Sequence, residues 1–254
     1  MLPLVVVRGW EAHDESRFPG FLEQLRHAGV DVVDLYQPAG DARTMGEWAA
    51  RLVDELPAGG PQRLLGYSLG GHLVLAMTAI LADRGEAPGY VGLVDTWLRS
   101  PQYSMLAGVY WRFGVGWRRR VRHQLLSLAR PDPVPVSVMV QDAARRFART
   151  LLSIRKKGLM TRRRPRIPNW DGQHLMYEWA FPPLDVPVHL YNAVGTIEQN
   201  GNDPSMGLAP HLRAGYVLRT MAGDHHTCLA PPNRELLTEA VVADLAAPTT
   251  VVRL

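Results

Sequence analysis

Three residues have types and surroundings that could do chemistry together: Ser68, Asp95 and His225. Ser68 sits in Leu64-Leu65-Gly66-Tyr67-Ser68-Leu69-Gly70-Gly71, an apolar run leading into Gly-x-Ser-x-Gly. Leu69, Leu73, Met77 and Ile80 follow at helical spacing. Strand, Gly-x-Ser-x-Gly and helix together make a nucleophile elbow, a turn so tight that the flanking positions must be almost free of side chain. The elbow also puts the serine at a helix N-terminus, where the backbone N–H of Leu69 can hold an oxyanion. A serine hydroxyl is a poor nucleophile near neutral pH, so it needs a base within reach and an acid to orient that base.

The base is expected on the loop after the last strand, and Gly223-Asp224-His225-His226-Thr227 lies there. Asp95 closes the apolar run at 90–94, one strand beyond the nucleophile strand, so it can reach the same edge of a sheet. Glu198 and Asp203, after a later strand, are the alternative acids, and His226 is the alternative base. Asp224 reads as an orienting group for the histidine loop, and Cys228 as a small core residue. His72 reads as structural. His13, His174, His189 and His211 lack a motif and read as structural or solvated.

The elements that must position these residues alternate. Residues 4–7 form a continuous apolar run, as in a buried parallel strand. Phe18, Phe21, Leu22 and Leu25 have helical spacing, with Gly29 as C-cap. A strand follows over 30–36. Thr44-Met45-Gly46-Glu47 is a capping box that opens a helix with Met45, Trp48, Ala49, Leu52, Val53 and Leu56 on its buried stripe. The elbow strand and helix come next, then the 90–94 strand. Strands over 186–191 and 216–221 and a final helix over 233–245 complete the order. This argues for an α/β fold, a mostly parallel sheet with helices on both faces, and Ser, acid, His is the chain order of α/β-hydrolases.

Between about 97 and 183 the alternation breaks into helical periodicity, with 134–140 ambiguous between helix and strand. We read 97–183 as a helical lid inserted into a single domain that spans 1–254, lying over the strand ends where α/β sites form. The insertion is strongly basic. From Arg99 to Arg166 there are 17 Lys and Arg against two acids, Asp132 and Asp142, a net +15, while the rest of the chain nets −11. Such a block suggests an anionic partner. Its plainer reading is a solvated arginine face. A membrane-surface helix is a third reading, from Trp111, Phe113 and Trp117 beside Arg118, Arg119, Arg120 and Arg122. Nucleic acid is not expected, since no recognition motif accompanies the charge.

The same stretches resemble the thioesterase domains of polyketide synthases and nonribosomal peptide synthetases. Gly66-Tyr67-Ser68-Leu69-Gly70-Gly71 looks like their elbow, and Leu93-Val94-Asp95 resembles their acid-bearing strand. Gly223-Asp224-His225-His226-Thr227-Cys228-Leu229 is similar to their histidine motif, and Asp203-Pro204-Ser205-Met206-Gly207 to a turn of the polyketide branch. The resemblance implies an α/β-hydrolase thioesterase with Ser68 as nucleophile, Asp95 as orienting acid and His225 as base. It implies an oxyanion hole of the Leu69 and Trp10 backbone N–H groups. His226, where an apolar residue is usual, Cys228, where methionine is common, and the Arg8-Gly9-Trp10 turn depart from the family pattern.

The implied substrate is a small-molecule acyl group held as a thioester on the phosphopantetheine of an acyl or peptidyl carrier protein, with CoA as the lesser alternative. Arg118, Arg119, Arg120, Arg122, Arg162, Arg163 and Arg164 would then dock the carrier and its phosphate, because the guanidinium fork pairs phosphate and carboxylate bidentately. The rivals are a membrane-surface lipid esterase or lysophospholipase, and a non-catalytic carrier-binding module.

Composition bounds the rest. Hydrophobic residues make up 46% of the 254, enough for an ordinary core. The single cysteine excludes an internal disulfide, and with no leader pattern at the start this suggests a cytoplasmic setting. No apolar stretch in the sequence is long enough to span a membrane. No metal-ligand spacing and no phosphate-binding glycine loop appear, so no cofactor of its own is expected.

Overall fold

The computed structural model describes residues 2–8, 17–98, 175–176 and 179–247. All belong to one compact unit built from 1–98 and 168–254. The predicted lid lies outside the described residues except at its margins.

Six strands form one parallel sheet: β1 (Leu4–Val7), β2 (Val32–Leu35), β3 (Arg63–Tyr67), β4 (Tyr90–Val94), β5 (Val188–Ala193) and β6 (Tyr216–Met221), in the order β2-β1-β3-β4-β5-β6. Five α-helices with described bounds accompany them, α1 (Arg17–His27), α2 (Met45–Asp54), α3 (Leu69–Asp83), α4 (Val194–Gln199) and α5 (Asn233–Ala246), together with a 3-10 turn at Ala209–His211. Because strand side chains alternate, the central strands feed two separate cores. Val5, Val7, Leu64, Val91 and Leu93 pack with α2 and α3. Leu4, Val6, Leu65, Val94 and Tyr191 pack with α1 and α5 on the opposite face. That two-sided burial is why β1 and β4 read as unbroken apolar runs. Each fully buried leucine contributes about 1.5–3 kcal/mol relative to exposure.

The fold is that of the α/β-hydrolases, as the residue order predicts. Thr44 Oγ1 accepts from the Glu47 N–H at 3.1 Å, and the returning Glu47 carboxylate takes the Arg43 N–H at 2.6 Å, one residue earlier than in the usual capping box. Leu56 lies two residues beyond α2 and is only partly buried. The strand predicted over 186–191 is shifted two residues later, and the short α4 follows it directly, an element the apolar pattern does not announce.

Behind β4 and β5 the polar side chains of Tyr90, His189, Tyr191 and Asp244 are buried together, with the exposed Arg219 of β6 closing over Asp244. The Tyr90 and Tyr191 hydroxyls lie 2.8 Å apart, and Tyr191 donates to Asp244 Oδ2 at 2.8 Å. Arg219 Nε donates to the same oxygen at 2.8 Å, and its Nη2 donates to Asp244 Oδ1. Burial alone would raise the Asp244 carboxyl, but the hydrogen bonds from Arg219 and Tyr191 hold it below the usual range. His189 Nδ1 stands 3.3 Å from Asp244 Oδ2, without the alignment of a hydrogen bond. Burial pulls the His189 imidazole down, against the pull of Asp244.

Candidate active site

Ser68 is the single residue between β3 and α3, at φ 56° and ψ −118°. A side-chain-bearing residue is rare with positive φ, and the neighbours hold this one there. Its N–H donates to the Val94 carbonyl at 3.0 Å. Its own carbonyl accepts from the Gly71 N–H at 3.0 Å and from Thr96 Oγ1 at 3.4 Å, and lies 3.2 Å from His72 Nδ1. A Cβ on Gly66 would fall on the Gly70 carbonyl, and one on Gly70 would fall on the Val7 carbonyl. Both positions therefore need glycine for close approach of backbone to backbone. Leu69 opens α3, so its N–H belongs to the first turn, where helix N–H groups have no partner within the helix.

Asp95 follows β4 directly, at φ 47°, and is fully buried. Its carboxylate takes three donors. The Ala193 N–H reaches Oδ1 at 2.9 Å, and Thr196 Oγ1 donates to Oδ2 at 2.7 Å. The third donor is His225 Nδ1, which also faces Oδ2, at 2.8 Å across 130 residues of sequence. A buried carboxylate is tolerated only when so satisfied. Because a carboxylate only accepts, this contact puts a proton on Nδ1 and leaves Nε2 as the basic nitrogen when the ring is neutral.

The imidazole is held by more than Asp95. Tyr67 stacks on it, with centroids 4.9 Å apart and planes at 16°, and the edge of Trp97 meets it at 4.8 Å and 82°. The Tyr67 hydroxyl donates to the His225 carbonyl at 2.5 Å. Asp224 ties the loop, its Oδ1 accepting from the His226 N–H at 3.0 Å, the Thr227 N–H at 3.1 Å and Thr227 Oγ1 at 2.9 Å. Burial would raise the Asp224 carboxyl, but these donors hold it below the usual range. Cys228 is buried in the core on α5's side, and burial pushes its thiol well up.

The structure thus brings Asp95 and His225 into contact, with Ser68 in the turn between β3 and α3, beside the end of the adjacent strand β4. Neither alternative acid is in that position. Asp203 accepts from the Ser205 N–H, Ser205 Oγ and Gly207 N–H and so closes its own turn, while Glu198 is exposed on α4. His226 is exposed. His72 is buried beneath the elbow, and loss of hydration pulls its pKa down to about 4 despite backbone hydrogen bonds with Ser68 and Trp97. Trp10 and the seven docking arginines lie outside the described residues. So does Gly9, whereas Arg8 at the end of β1 pairs with Asp34 at 2.7 Å. Sequence reasoning missed Thr196, Tyr67 and Trp97. Tyr67 is inside the motif and Trp97 two residues past Asp95, so adjacency to named site residues was the available signal. Thr196 carried none. Among the described residues, no group of three or more His, Cys, Asp or Glu could hold a metal, and no helix is long and apolar enough to cross a membrane.

A serine elbow on a six-stranded parallel sheet, with an Asp–His pair at the ends of later strands, defines the α/β-hydrolase class. Within it the chain is similar to the thioesterase domains of nonribosomal peptide and polyketide synthases: residues 18–107 match the thioesterase-domain family model. Enterobactin synthase component F of Escherichia coli (strain K12) is 50% identical over 48 residues, a match spanning 19% of this chain and 4% of that protein. The structure of the NocB thioesterase domain in covalent complex with a fluorophosphonate nocardicin G analog aligns over 97% of this chain and 96% of its own, with a TM-score of 0.56 and 21% identity. The Vlm2 thioesterase domain bound with a dodecadepsipeptide aligns over 97% and 95%, at 0.52 and 17%. The four-domain nonribosomal peptide synthetase AB3403 aligns over 97% of this chain and 20% of its own, at 0.60 and 14%.

Proposed function

We propose that this chain is a serine thioesterase that releases an acyl or peptidyl chain from the phosphopantetheine of a carrier protein. The observation that carries the reading is the 2.8 Å contact of His225 with buried Asp95, at the edge of the sheet where the Ser68 elbow stands. In this reading His225 Nε2 takes the Ser68 Oγ proton as Oγ attacks the thioester carbonyl carbon. The C=O pair moves onto oxygen, where the Leu69 and Trp10 N–H groups stabilise it. Collapse breaks the C–S bond, and the imidazolium gives its proton to the departing thiolate. The resulting acyl-Ser68 ester is then attacked by water, a hydroxyl or an amine, with His225 again accepting the proton. Hydrolysis, cyclisation and transfer share these steps and differ in the acceptor. The chain needs no cofactor of its own for them. The 97–183 segment is proposed as the lid.

The charge of the 99–166 block supports a carrier partner, because carrier docking through arginine is steered by long-range attraction. Steering acts on the encounter rate and fades as the Debye length shortens from about 10 Å at 0.1 M salt to about 3 Å at 1 M. The test is kcat/KM for an acyl group on its carrier and on a small thioester without carrier or phosphate, across that salt range. The carrier-bound rate falls steeply with salt, and glutamine at Arg118, Arg119, Arg120 and Arg122 lowers it at low salt. The small thioester is indifferent to both. A carrier-bound rate that ignores salt and substitution contradicts docking by these arginines. A membrane-surface esterase would instead bind anionic vesicles with no carrier present.

A further inference from the structure

We propose that Thr196 is a positioning residue for the Asp95–His225 pair, setting how strongly the carboxylate holds the imidazole. The inference rests on the thioesterase reading for its kinetic consequence but not for its ground-state one. Thr196 lies on α4, the six-residue helix that starts directly after β5, and it is the only buried residue of that helix. Its hydroxyl donates to Asp95 Oδ2 at 2.7 Å, the same oxygen that faces His225 Nδ1 at 2.8 Å. The Ala193 N–H, at the end of β5, occupies the other oxygen. One turn of chain, 193–196, therefore grips both oxygens of the carboxylate. A carboxylate in a dry site could otherwise rotate about its Cβ–Cγ bond, and the imidazole would lose its fixed direction.

The hydroxyl also competes with His225 for charge on Oδ2. Removing it leaves more of the carboxylate's charge to the imidazole and favours the imidazolium. The acid limb of the kcat/KM profile, set by the neutral imidazole needed as base, then moves upward. Among the described residues, the other groups around the ring are Tyr67 stacked on it, Trp97 edge-on to it, His226 beside it, Asp224 in its loop and Cys228, whose Sγ donates to the His225 carbonyl at 3.4 Å. Substitution at position 196 alters none of them.

The experiment compares wild type with Thr196→Val, Thr196→Ala and Thr196→Ser. The imidazole C–H signals of His225 are titrated by NMR, and kcat and KM for a small acyl thioester are measured against pH. The expected result is a titration midpoint and an acid limb raised together by about half to one pH unit in the variants without a hydroxyl, the size of one hydrogen bond. Their kcat falls about tenfold with KM unchanged, as for an interaction acting on the chemical step. Serine restores the wild-type profile. Alanine stands in should the valine variant not fold. Midpoints unmoved in both hydroxyl-free variants overturn the proposal, whatever the activity, since a purely structural threonine would lower stability without moving the titration. Wild type that turns over no thioester overturns the thioesterase reading instead, and the NMR midpoints still decide the role of Thr196.

Discussion

Both oxygens of the buried Asp95 carboxylate are engaged, by one backbone N–H, one hydroxyl and one imidazole. That is a different situation from Asp203, whose three donors all come from its own turn, and from Glu198, which faces solvent. The difference predicts the ranking of variants. In Asp95→Asn the amide cannot accept at both ends, so the Nδ1–H tautomer of His225 loses its support. Turnover should fall by on the order of 10⁴, as when a triad acid is neutralised. Asp203→Asn and Glu198→Gln should each stay within about tenfold, a barrier change of about 1.4 kcal/mol. Steady-state kinetics on one acyl thioester check this, and the opposite ranking would move the orienting acid to the later loop.

Elements differ in how much of themselves they show in sequence. β1 and β4 were legible because burial on both faces makes every residue apolar, and α2 because its cap and stripe coincide. The elbow was legible because the two close backbone approaches leave room for glycine alone at 66 and 70. α4 was not, because a helix with one buried side chain has no apolar period to display, and Thr196 went unread with it. His225 could be placed by its loop, but its clasp between Tyr67 and Trp97 depends on strands β3 and β4 being neighbours, which no local pattern encodes. The elbow helix also carries a pH dependence. His72 has a pKa of about 4 in the fold against 6.5 as the ordinary value, so the unfolded chain binds the extra proton first. Its neutral state therefore stabilises the fold above pH 6.5, and this contribution is lost as pH falls towards 4, about 2 kcal/mol of it by pH 5. Buried His189 has the same sign. Asp203, Asp224 and Asp244, held below the usual carboxylate range, act only at lower pH. Urea unfolding between pH 7 and 5 should show wild type losing stability more steeply than His72→Asn, whose amide can still donate to the Ser68 carbonyl. Parallel curves would contradict the assignment.

At the scale of the molecule, three distant stretches converge because the sheet is parallel. Each strand delivers its C-terminal end to one edge, so residues after β3, β4 and β6 meet although Asp95 and His225 are 130 positions apart. Two cores pack on either side of the sheet, and the basic 99–166 block enters the chain between β4 and β5. The central claim is that this edge carries a serine that takes an acyl group from a thioester. It is tested most directly by intact-mass measurement after incubation with an acylated carrier and, in parallel, with a fluorophosphonate, followed by peptide mapping. The account predicts one adduct per chain, located on Ser68, absent in Ser68→Ala and strongly slowed in His225→Ala. An adduct on any other residue, or Ser68→Ala labelled at the wild-type rate, would contradict it.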